Sequence, residues 1–520
     1  MVNVKRAAFA AALLVFSSIQ SLEAQDVTLT SRDKSVQIVG NLLGFDGQFY
    51  RVETDYGELT VDGSGVECVG PGCPNLKSFV ADLDISGAPE IGNLLLPALI
   101  EAYAAENGLK TERATESDEK FSITLLQKSD NTTLARFYFH INSSSEGFAD
   151  LLADETDIVM STREITAQER KLAREAGMGD MTRLGRARVL ALDALVAIVS
   201  NQNPVEDISV LQLSEIYSGK INNWKTIGPQ DAAITPYLRD LETGAGAVAL
   251  QRLLLQESQA TASTTRFSTD NFDLSKRVSI DPFGIGLVGR SATLDAKILT
   301  LTGPCGRSLR PSRRNVKTED YPLTTPLFLY LPARRLPKIA RDFLSYTRSP
   351  AAQFVIRRAG FVDQAPEEIP IDFQGDRLAN AISVAGDEMS LSMTRNMIAE
   401  LRQMRRLTTS FRFETGSVRL DAQSRSNVEQ LAGAVEAGIY DGKSLVFIGF
   451  SDGEGAADGN LEISKRRAEV VKNAVQKAAE TADFTQLDIS VQAYGEAMPM
   501  ACDDTEWGRQ VNRRVEVWIR

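Results

Sequence analysis

The fold is decided by residues 194–224, which read ALVAIVSNQNPVEDISVLQLSEIYSGKINNW. The apolar run from Ala194 to Val199 is typical of a buried strand, and the turn Asn203-Pro204 ends it. A polar helix follows, in which Leu213 and Ile216 are spaced to share one face. Because strands and helices alternate in the same way in the neighbouring sequence, we expect an α/β fold with a mainly parallel sheet.

The whole chain has 520 residues, of which 43% are hydrophobic and 24% are charged. A chain of this length and composition is expected to form several domains, each with its own core. Its formal net charge of -12 argues against nonspecific binding to nucleic acid. The lone histidine, His140, excludes a multi-histidine metal site and leaves few ways to build a Ser-His-Asp or Cys-His set. We therefore expect a binding protein with no metal, no cofactor and no catalytic residue.

Residues 1–24 have the parts of a secretory signal peptide. Lys5 and Arg6 precede an apolar run from Ala7 to Phe16, and Ala24 is a small residue at the expected cleavage site. The apolar run is about half of the ~20 residues that a membrane-spanning helix needs. The sequence therefore predicts export to the periplasm.

Residues 26–76 are expected to form a small β module. Their β-branched and aromatic runs are short, and Asp46-Gly47 and Tyr56-Gly57 between them are turn signals. No reactive group in this module indicates what it does.

The four cysteines indicate disulfides, because an exported protein folds in an oxidising compartment. Cys68 and Cys73 flank Val-Gly-Pro-Gly, a tight turn that can bring two sulfur atoms together. Cys305 and Cys502 are then left, and a bond between them would clamp two domains together. Four cysteines allow three pairings, however, and the sequence alone does not choose among them.

Several motifs between residues 78 and 366 resemble the PstS-like phosphate-binding proteins of ABC transport systems. They are Asn203-Pro204 through Trp224, Phe283-Gly284-Ile285-Gly286, Tyr321-Pro322-Leu323 and Ala359-Gly360-Phe361-Val362. The resemblance implies a type II periplasmic-binding-protein fold, in which two α/β lobes clasp a ligand at a hinge.

The same resemblance implies an anion site at three turns of this domain. Its members would be Ser86, Gly87, Ser161, Thr162, Arg239, Thr243 and Gly244. The chain departs from the family pattern, since Ala88 and Ala245 stand where hydroxyl residues are usual and Thr162 where phosphate-specific members have aspartate. Each lost neutral hydrogen bond costs about 0.5–1.5 kcal/mol. Two hypotheses stay open: the cleft binds phosphate weakly or another small anion, or it is a rigid scaffold without a ligand.

A second set of motifs, within residues 405–520, closely resembles the OmpA C-terminal family. They are Phe413 through Asp421, Ser451-Asp452-Gly453-Glu454-Gly455, Asn460 through Ala468, Tyr494-Gly495-Glu496 and Asn512-Arg513-Arg514. The resemblance implies an α+β domain that binds peptidoglycan noncovalently. Between the two domains, residues 375–404 are expected to form a helical connector with an apolar stripe.

The OmpA-like resemblance also implies how the wall is bound. Stem peptides that contain meso-diaminopimelate present an ammonium and a carboxylate on one carbon atom. Asp452 would take the ammonium and Arg467 would hold the carboxylate in a bidentate pair. Gly455 and Asn460 would shape the loop, with Asn460 capping the following helix. In the alternative reading, Asp452 caps a turn and Arg467 is a solvated charge.

These expectations combine into an exported, peptidoglycan-tethered binding protein, located in the periplasm and associated with peptidoglycan and the outer membrane. Its expected partners are peptidoglycan, a small anion such as phosphate, and an outer-membrane or other envelope protein. The alternatives are an envelope scaffold with a non-binding cleft or a wall-associated hydrolase or phosphatase. His140 argues against the enzyme, because it lies in Phe137-Tyr138-Phe139-His140, which is typical of a strand.

Overall fold

The computed structural model describes residues 26–75, 79–183, 185–239, 261–268, 270–303, 308–383, 391–414, 416–503 and 506–520. The predicted signal peptide and two of the predicted anion-site residues, Thr243 and Gly244, lie outside these ranges, as does Cys305. The chain divides into two compact units, Met1–Phe79 and Val80–Arg520. Within the described ranges, every helix is too short or too polar to cross a membrane.

The first unit is an antiparallel β sheet with the strand order β4-β3-β2-β1-β5. Its core contains Val27, Leu29, Tyr50 and Val52. The predicted Cys68–Cys73 disulfide is present, with the two Cα atoms 5.8 Å apart. The strands are β1 Val27–Ser31, β2 Gln37–Phe45, β3 Phe49–Thr54, β4 Gly57–Asp62 and β5 Val66–Val69.

The second unit begins with a large α/β part, which we call the central part (residues 80–366). Its strands are β6 Ala81–Gly87, β7 Leu109–Thr115, β8 Lys120–Gln127, β9 Thr133–Ile141, β10 Ile158–Ser161, β11 Ala187–Val199, β12 Asp207–Ser209, β13 Thr235–Arg239, β14 Arg266–Ser268, β15 Gly284–Gly289, β16 Lys297–Ile298, β17 Thr300–Thr302, β18 Ser308–Leu309 and β19 Thr324–Tyr330. Its helices are α1 Leu96–Glu106, α2 Ser144–Leu152, α3 Ala167–Glu175, α4 Val210–Tyr217, α5 Asn271–Ile280, α6 Arg313–Lys317, α7 Lys338–Tyr346 and α8 Pro350–Arg358.

The central part has two lobes joined by long strands. The first lobe contains β6–β10 and the second contains β12–β18. Strand β11 connects them, because its first half pairs with β19 and its second half, from Leu195 to Val199, pairs with β15. Residues 194–224 form the second half of β11 and helix α4, as expected. Helix α4 begins at a capping box between Ser209 and Gln212, and Trp224 is fully buried.

The expectation of a mainly parallel sheet is wrong. Strand β6 runs parallel to β9 and β10, and β13 runs parallel to β14 and β15. The pairs β7/β8, β8/β9, β10/β19, β11/β15, β11/β16 and β11/β19 are antiparallel. The physical reason is that β7, β8 and β9 form an antiparallel meander and that β11 pairs antiparallel with β15, β16 and β19, whereas the alternation of strands and helices along the sequence does not determine strand direction. The two-lobed α/β architecture is nevertheless as expected.

The C-terminal part (residues 367–520) is a sheet with helices on both faces. Its strands, in the order β20-β21-β24-β22-β23, are β20 Glu368–Ile369, β21 Arg405–Arg412, β22 Ser444–Phe450, β23 Asp488–Ala493 and β24 Arg514–Ile519. Its helices are α9 Gly375–Ser383, α10 Leu391–Leu401, α11 Ala422–Glu436, α12 Ala457–Ala478 and α13 Glu506–Asn512.

The segment expected to be a connector is packed into this C-terminal part. Alternate residues of β22 point to opposite faces. Leu445 and Phe447 pack with α11 and α12, whereas Val446 and Ile448 pack with apolar side chains of α9 and α10. The structure therefore describes two helices here, and their apolar stripe covers the second face of the sheet.

A buried ionic cluster joins the central and C-terminal parts. We call it the junction cluster; its members are Asp320, Arg377, Arg406, Arg514 and Glu516. Arg406 donates two hydrogen bonds to Asp320, at 2.5 and 3.0 Å, and its Nε lies 3.2 Å from Glu516. Burial opposes ionisation of Asp320, but the Arg406 charge outweighs it and lowers the pKa of Asp320 to about 2. The two parts therefore share one charged core.

Candidate functional sites

The predicted wall site lies where β22 ends and α12 begins. A Cβ atom on Gly449 would lie 1.9 Å from the Ser464 carbonyl oxygen, so only glycine lets the helix approach the strand this closely. Ser464 and Arg467 are three residues apart and share the buried face of α12. This close packing brings the Arg467 side chain towards the loop that carries Asp452.

Asp452 is 8% exposed and forms an ion pair with Arg513. Arg513 donates to its Oδ2 atom over 2.7 Å and also contacts Glu506. Asp452 is therefore fixed by a side chain that lies 61 residues away in the sequence.

Arg467 is 6% exposed, and its buried Nε atom has no hydrogen-bond partner among the described residues. Its guanidinium lies 5.3 Å from the centre of the Phe413 ring. Burial lowers the pKa of Arg467, the Arg513 charge lowers it further, and the Asp452 carboxylate acts in the opposite sense. A buried guanidinium without an acceptor is costly unless a ligand supplies one.

Gly455 and Asn460 lie in the loop and first turn that precede Arg467. Gly455 has a φ of +99°, which favours glycine. The expectation that Asn460 caps the helix is wrong, because α12 already begins at Ala457 with Ala456 as its N-cap. Asn460 is instead buried within the helix and donates to Glu496 over 2.8 Å. Its amide thereby fixes the loop after β23 beside the wall site.

In the central part, the first predicted anion turn is occupied by internal hydrogen bonds. The Ser86 hydroxyl donates to Asp150 and accepts from Asn142. Gly87 has a φ of +129°, and the next N–H, that of Ala88, donates to the Met160 carbonyl over 2.9 Å. The structure therefore turns the Ser86 hydroxyl towards a carboxylate.

The second predicted turn is also satisfied internally. The Ser161 hydroxyl donates to the Arg163 carbonyl over 2.7 Å, and the Thr162 N–H donates to the Ser144 hydroxyl over 3.1 Å. Ser144 is a cleft residue that the sequence reasoning missed. A signal was present, since Ser143 and Glu146 have capping-box spacing directly after a strand and form that box at the start of α2.

Arg239, the predicted cation of the anion site, already has a carboxylate partner. It lies at the end of β13 in the second lobe and pairs with Glu90, which follows β6 in the first lobe. Both side chains are buried, with 5% of Arg239 and 9% of Glu90 exposed. The sequence reasoning did not single out Glu90, and only the fold brings it to Arg239.

His140 forms no hydrolase-like arrangement with its neighbours. Its Nδ1 atom lies 3.1 Å from Asp150, and the same carboxylate oxygen accepts from Ser86. In a Ser-His-Asp set the histidine would instead stand between the serine and the carboxylate. Across the described ranges, histidine, cysteine and carboxylate side chains form no cluster of three that could hold a metal ion.

A cavity of about 540 Å³ lies between the central and C-terminal parts. Its carboxyl groups include Glu164, Glu319 and Asp421. Burial, with the Asp421 charge second, raises the pKa of Glu319 to about 8.

Cys502, in the C-terminal part, is disulfide-bonded, and its predicted partner Cys305 lies outside the described residues.

Comparisons with known proteins match both parts of this second unit. Residues 80–351 match the model of the PBP superfamily domain, and residues 412–513 match that of the OmpA family. The phosphate-binding protein PstS of Borreliella burgdorferi is 24% identical over 230 residues, which are 43% of this chain and 78% of that protein. The PstS protein of Bacillus subtilis is 27% identical over 188 residues, which are 36% of this chain and 60% of that protein.

Among solved structures, the peptidoglycan-associated lipoprotein of Burkholderia pseudomallei is 22% identical, with a TM-score of 0.19. The match covers 21% of this chain and 89% of that one. The family models agree with the two-lobed central part and with the α+β C-terminal part described above. The chain belongs to the PBP superfamily through its PstS-like central part, and its residues 412–513 match the OmpA family model.

Proposed function

We propose that this protein is an exported binding protein of the cell envelope that is tethered to peptidoglycan by its C-terminal domain. The observation that carries the proposal is the Arg467 side chain, whose buried Nε atom has no hydrogen-bond partner among the described residues and whose charge interacts with the carboxylate of Asp452. The likeness to the OmpA family supports it.

The ligand that fits this pair of charges is the distal end of diaminopimelate. Its carboxylate would accept from Arg467, and its ammonium would lie against the carboxylate of Asp452. Both charges of the ligand are then matched within one pocket. The periplasm is the compartment in which such stem peptides are accessible, so we place the protein there, and an association with the outer membrane is part of the same proposal.

Pull-down on purified sacculi that contain diaminopimelate tests this function. We expect the full chain to be retained and both Arg467→Ala and Asp452→Ala to bind at least ~30-fold more weakly. Arg466→Ala is the matched control, because Arg466 is exposed and lies next to Arg467 on the same helix. Equal retention of all four proteins would refute the proposal.

The central part is proposed to be a binding domain without enzymatic activity, in keeping with the PstS relatives, whose names describe phosphate binding. The contacts of His140 and Ser86 support this over a hydrolase or phosphatase, because both side chains are bonded to one carboxylate. Incubation of the purified protein with a phosphomonoester or with labelled sacculi should release no product, and turnover would contradict the assignment.

A further inference from the structure

The cleft between the two lobes contains one feature that the wall-tethering function does not use. Glu90 comes from the first lobe, where it follows the turn after β6, and Arg239 comes from the second lobe, at the end of β13. Their side chains meet as an ion pair although the residues are 149 positions apart. The pair therefore bridges the two lobes.

The ion pair neutralises the cation that a bound anion would need. The nearby Arg163 is also occupied, because it donates to both carboxylate oxygens of Glu169, at 2.9 and 2.7 Å. The N–H of Ala88 and the hydroxyl of Ser161 are hydrogen-bonded within the chain. The described side of the cleft thus offers an incoming anion little uncompensated positive charge.

The pairing of Glu90 with Arg239 does not use all the hydrogen-bonding atoms of the two side chains. The hydrogen bond joins one oxygen of Glu90 to one terminal nitrogen of Arg239. Glu90 Oε2 and Arg239 Nε are buried and have no hydrogen-bond partner among the described residues. A free oxyanion that could use two nitrogens of Arg239 would make the bidentate contact that the tethered carboxylate does not make.

From this geometry we propose that Glu90 is an internal ligand of the cleft: its carboxylate takes the place of a free anion on Arg239, joins the two lobes and excludes phosphate-like oxyanions. The carboxylate is present at a high effective concentration, because it belongs to the same chain. A phosphate ion must therefore displace a buried, covalently tethered competitor. This role is independent of the wall site.

Isothermal titration of the full mature chain with inorganic phosphate tests the inference. We expect the wild-type protein to give no measurable heat, and Glu90→Gln and Glu90→Ala to bind phosphate at least ~100-fold more tightly. Glu90→Gln keeps the size of the side chain, so it reports on the charge even if the smaller alanine disturbs folding. Glu101→Gln is the control, because it removes one exposed negative charge from α1 without touching the cleft.

A double variant tests whether the phosphate bound by the Glu90 variants lies on Arg239. Glu90→Gln/Arg239→Gln should lose phosphate binding again, because the bound oxyanion would rest on Arg239. Small-angle scattering adds a second readout: the wild-type radius of gyration should not change with phosphate, whereas Glu90→Gln should be larger alone and contract when phosphate is added.

Three results would overturn the inference: tight phosphate binding by the wild type, no gain in either Glu90 variant, or a gain that survives the loss of Arg239. Retention on sacculi distinguishes these failures from a failure of the proposed function. Glu90→Gln should be retained like the wild type, since Glu90 and the wall-site residues Asp452 and Arg467 belong to separate sites.

Discussion

Arg467 in the wall site and Arg239 in the cleft are both buried arginines that the sequence predicts to meet an anion. They differ in whether another side chain of the protein already supplies that anion. The buried Nε atom of Arg467 has no hydrogen-bond partner among the described residues, whereas Arg239 is paired with Glu90. An unpaired buried guanidinium is a cost that a ligand can remove. A paired one already has its counter-ion. The comparison therefore separates a site that is ready for an external anion from one that is occupied from within.

The largest expected effect is the loss of stability when Arg239 is removed. Arg239→Ala leaves the Glu90 carboxylate buried without its cation, so the free energy of unfolding should fall by about 3–5 kcal/mol. Urea unfolding of the full chain measures this. The Glu90→Gln/Arg239→Gln variant is the control and should recover much of the loss; a stable Arg239→Ala protein would show that the pair carries no such energy.

The next effect concerns the ligand of Arg467. Peptidoglycan with lysine in place of diaminopimelate has the ammonium but not the neighbouring carboxylate, so it should bind about 2–3 kcal/mol more weakly, or roughly 30- to 150-fold. Binding to the two kinds of sacculi at equal mass checks this. Arg467→Ala should bind both kinds equally weakly, and an undiminished preference in that variant would exclude Arg467 as the discriminating residue.

Glu319 offers a pH-dependent comparison at the boundary between the two parts. Burial raises its pKa from 4.5 to about 8, so the folded state holds a proton that the unfolded state has released. Stability should therefore fall as pH rises from about 4.5 to about 8, and Glu319→Gln should remove that part of the slope. Urea unfolding at pH 5 and pH 8 should show the variant gaining about 3.5 kcal/mol on the wild type at the higher pH. An equal difference at both values would contradict the assignment.

The smallest effect is a gain in stability at the wall site. Arg467→Met replaces an unpaired buried cation with an apolar side chain of similar length, so thermal unfolding should show a gain of about 1 kcal/mol, although wall binding is lost. The matched change Arg466→Met, on the exposed face of α12, should alter neither property. A loss of stability in Arg467→Met would mean that its contact with Phe413 outweighs the missing acceptor.

Features that depend on residues close together in the sequence could be predicted, and features that depend on residues far apart in the sequence could not. The strand–loop–helix unit that carries Asp452 and Arg467 is local, so its motif predicts both residues. Asn460 was misassigned because the exact first residue of a helix depends on the preceding turn, here at Gly455. The mainly parallel sheet was a wrong inference because alternation of strands and helices does not specify strand direction for the β7–β9 meander.

The partner of Arg239 could not be predicted from local patterns. Glu90 follows a strand in one lobe and Arg239 ends a strand in the other, so only the three-dimensional fold reveals that they meet. The family resemblance directs attention to Arg239 and to hydroxyl groups, and not to an acid in the first lobe. Ser144 was missed for the same reason, because its proximity to Thr162 depends on the pairing of β6 with β10.

Arg513 and Arg514 are adjacent in the chain but serve different regions. Arg513 holds Asp452 in the wall site, and Arg514 holds Glu516, which also contacts the Arg406 that is bonded to Asp320 of the central part. If the wall site binds peptidoglycan as proposed, tension on the bound stem peptide would pass through two neighbouring residues into the buried junction cluster. Under that proposal the wall site and the central part form a short mechanical linkage, so a stretched or displaced wall would carry the central part with it.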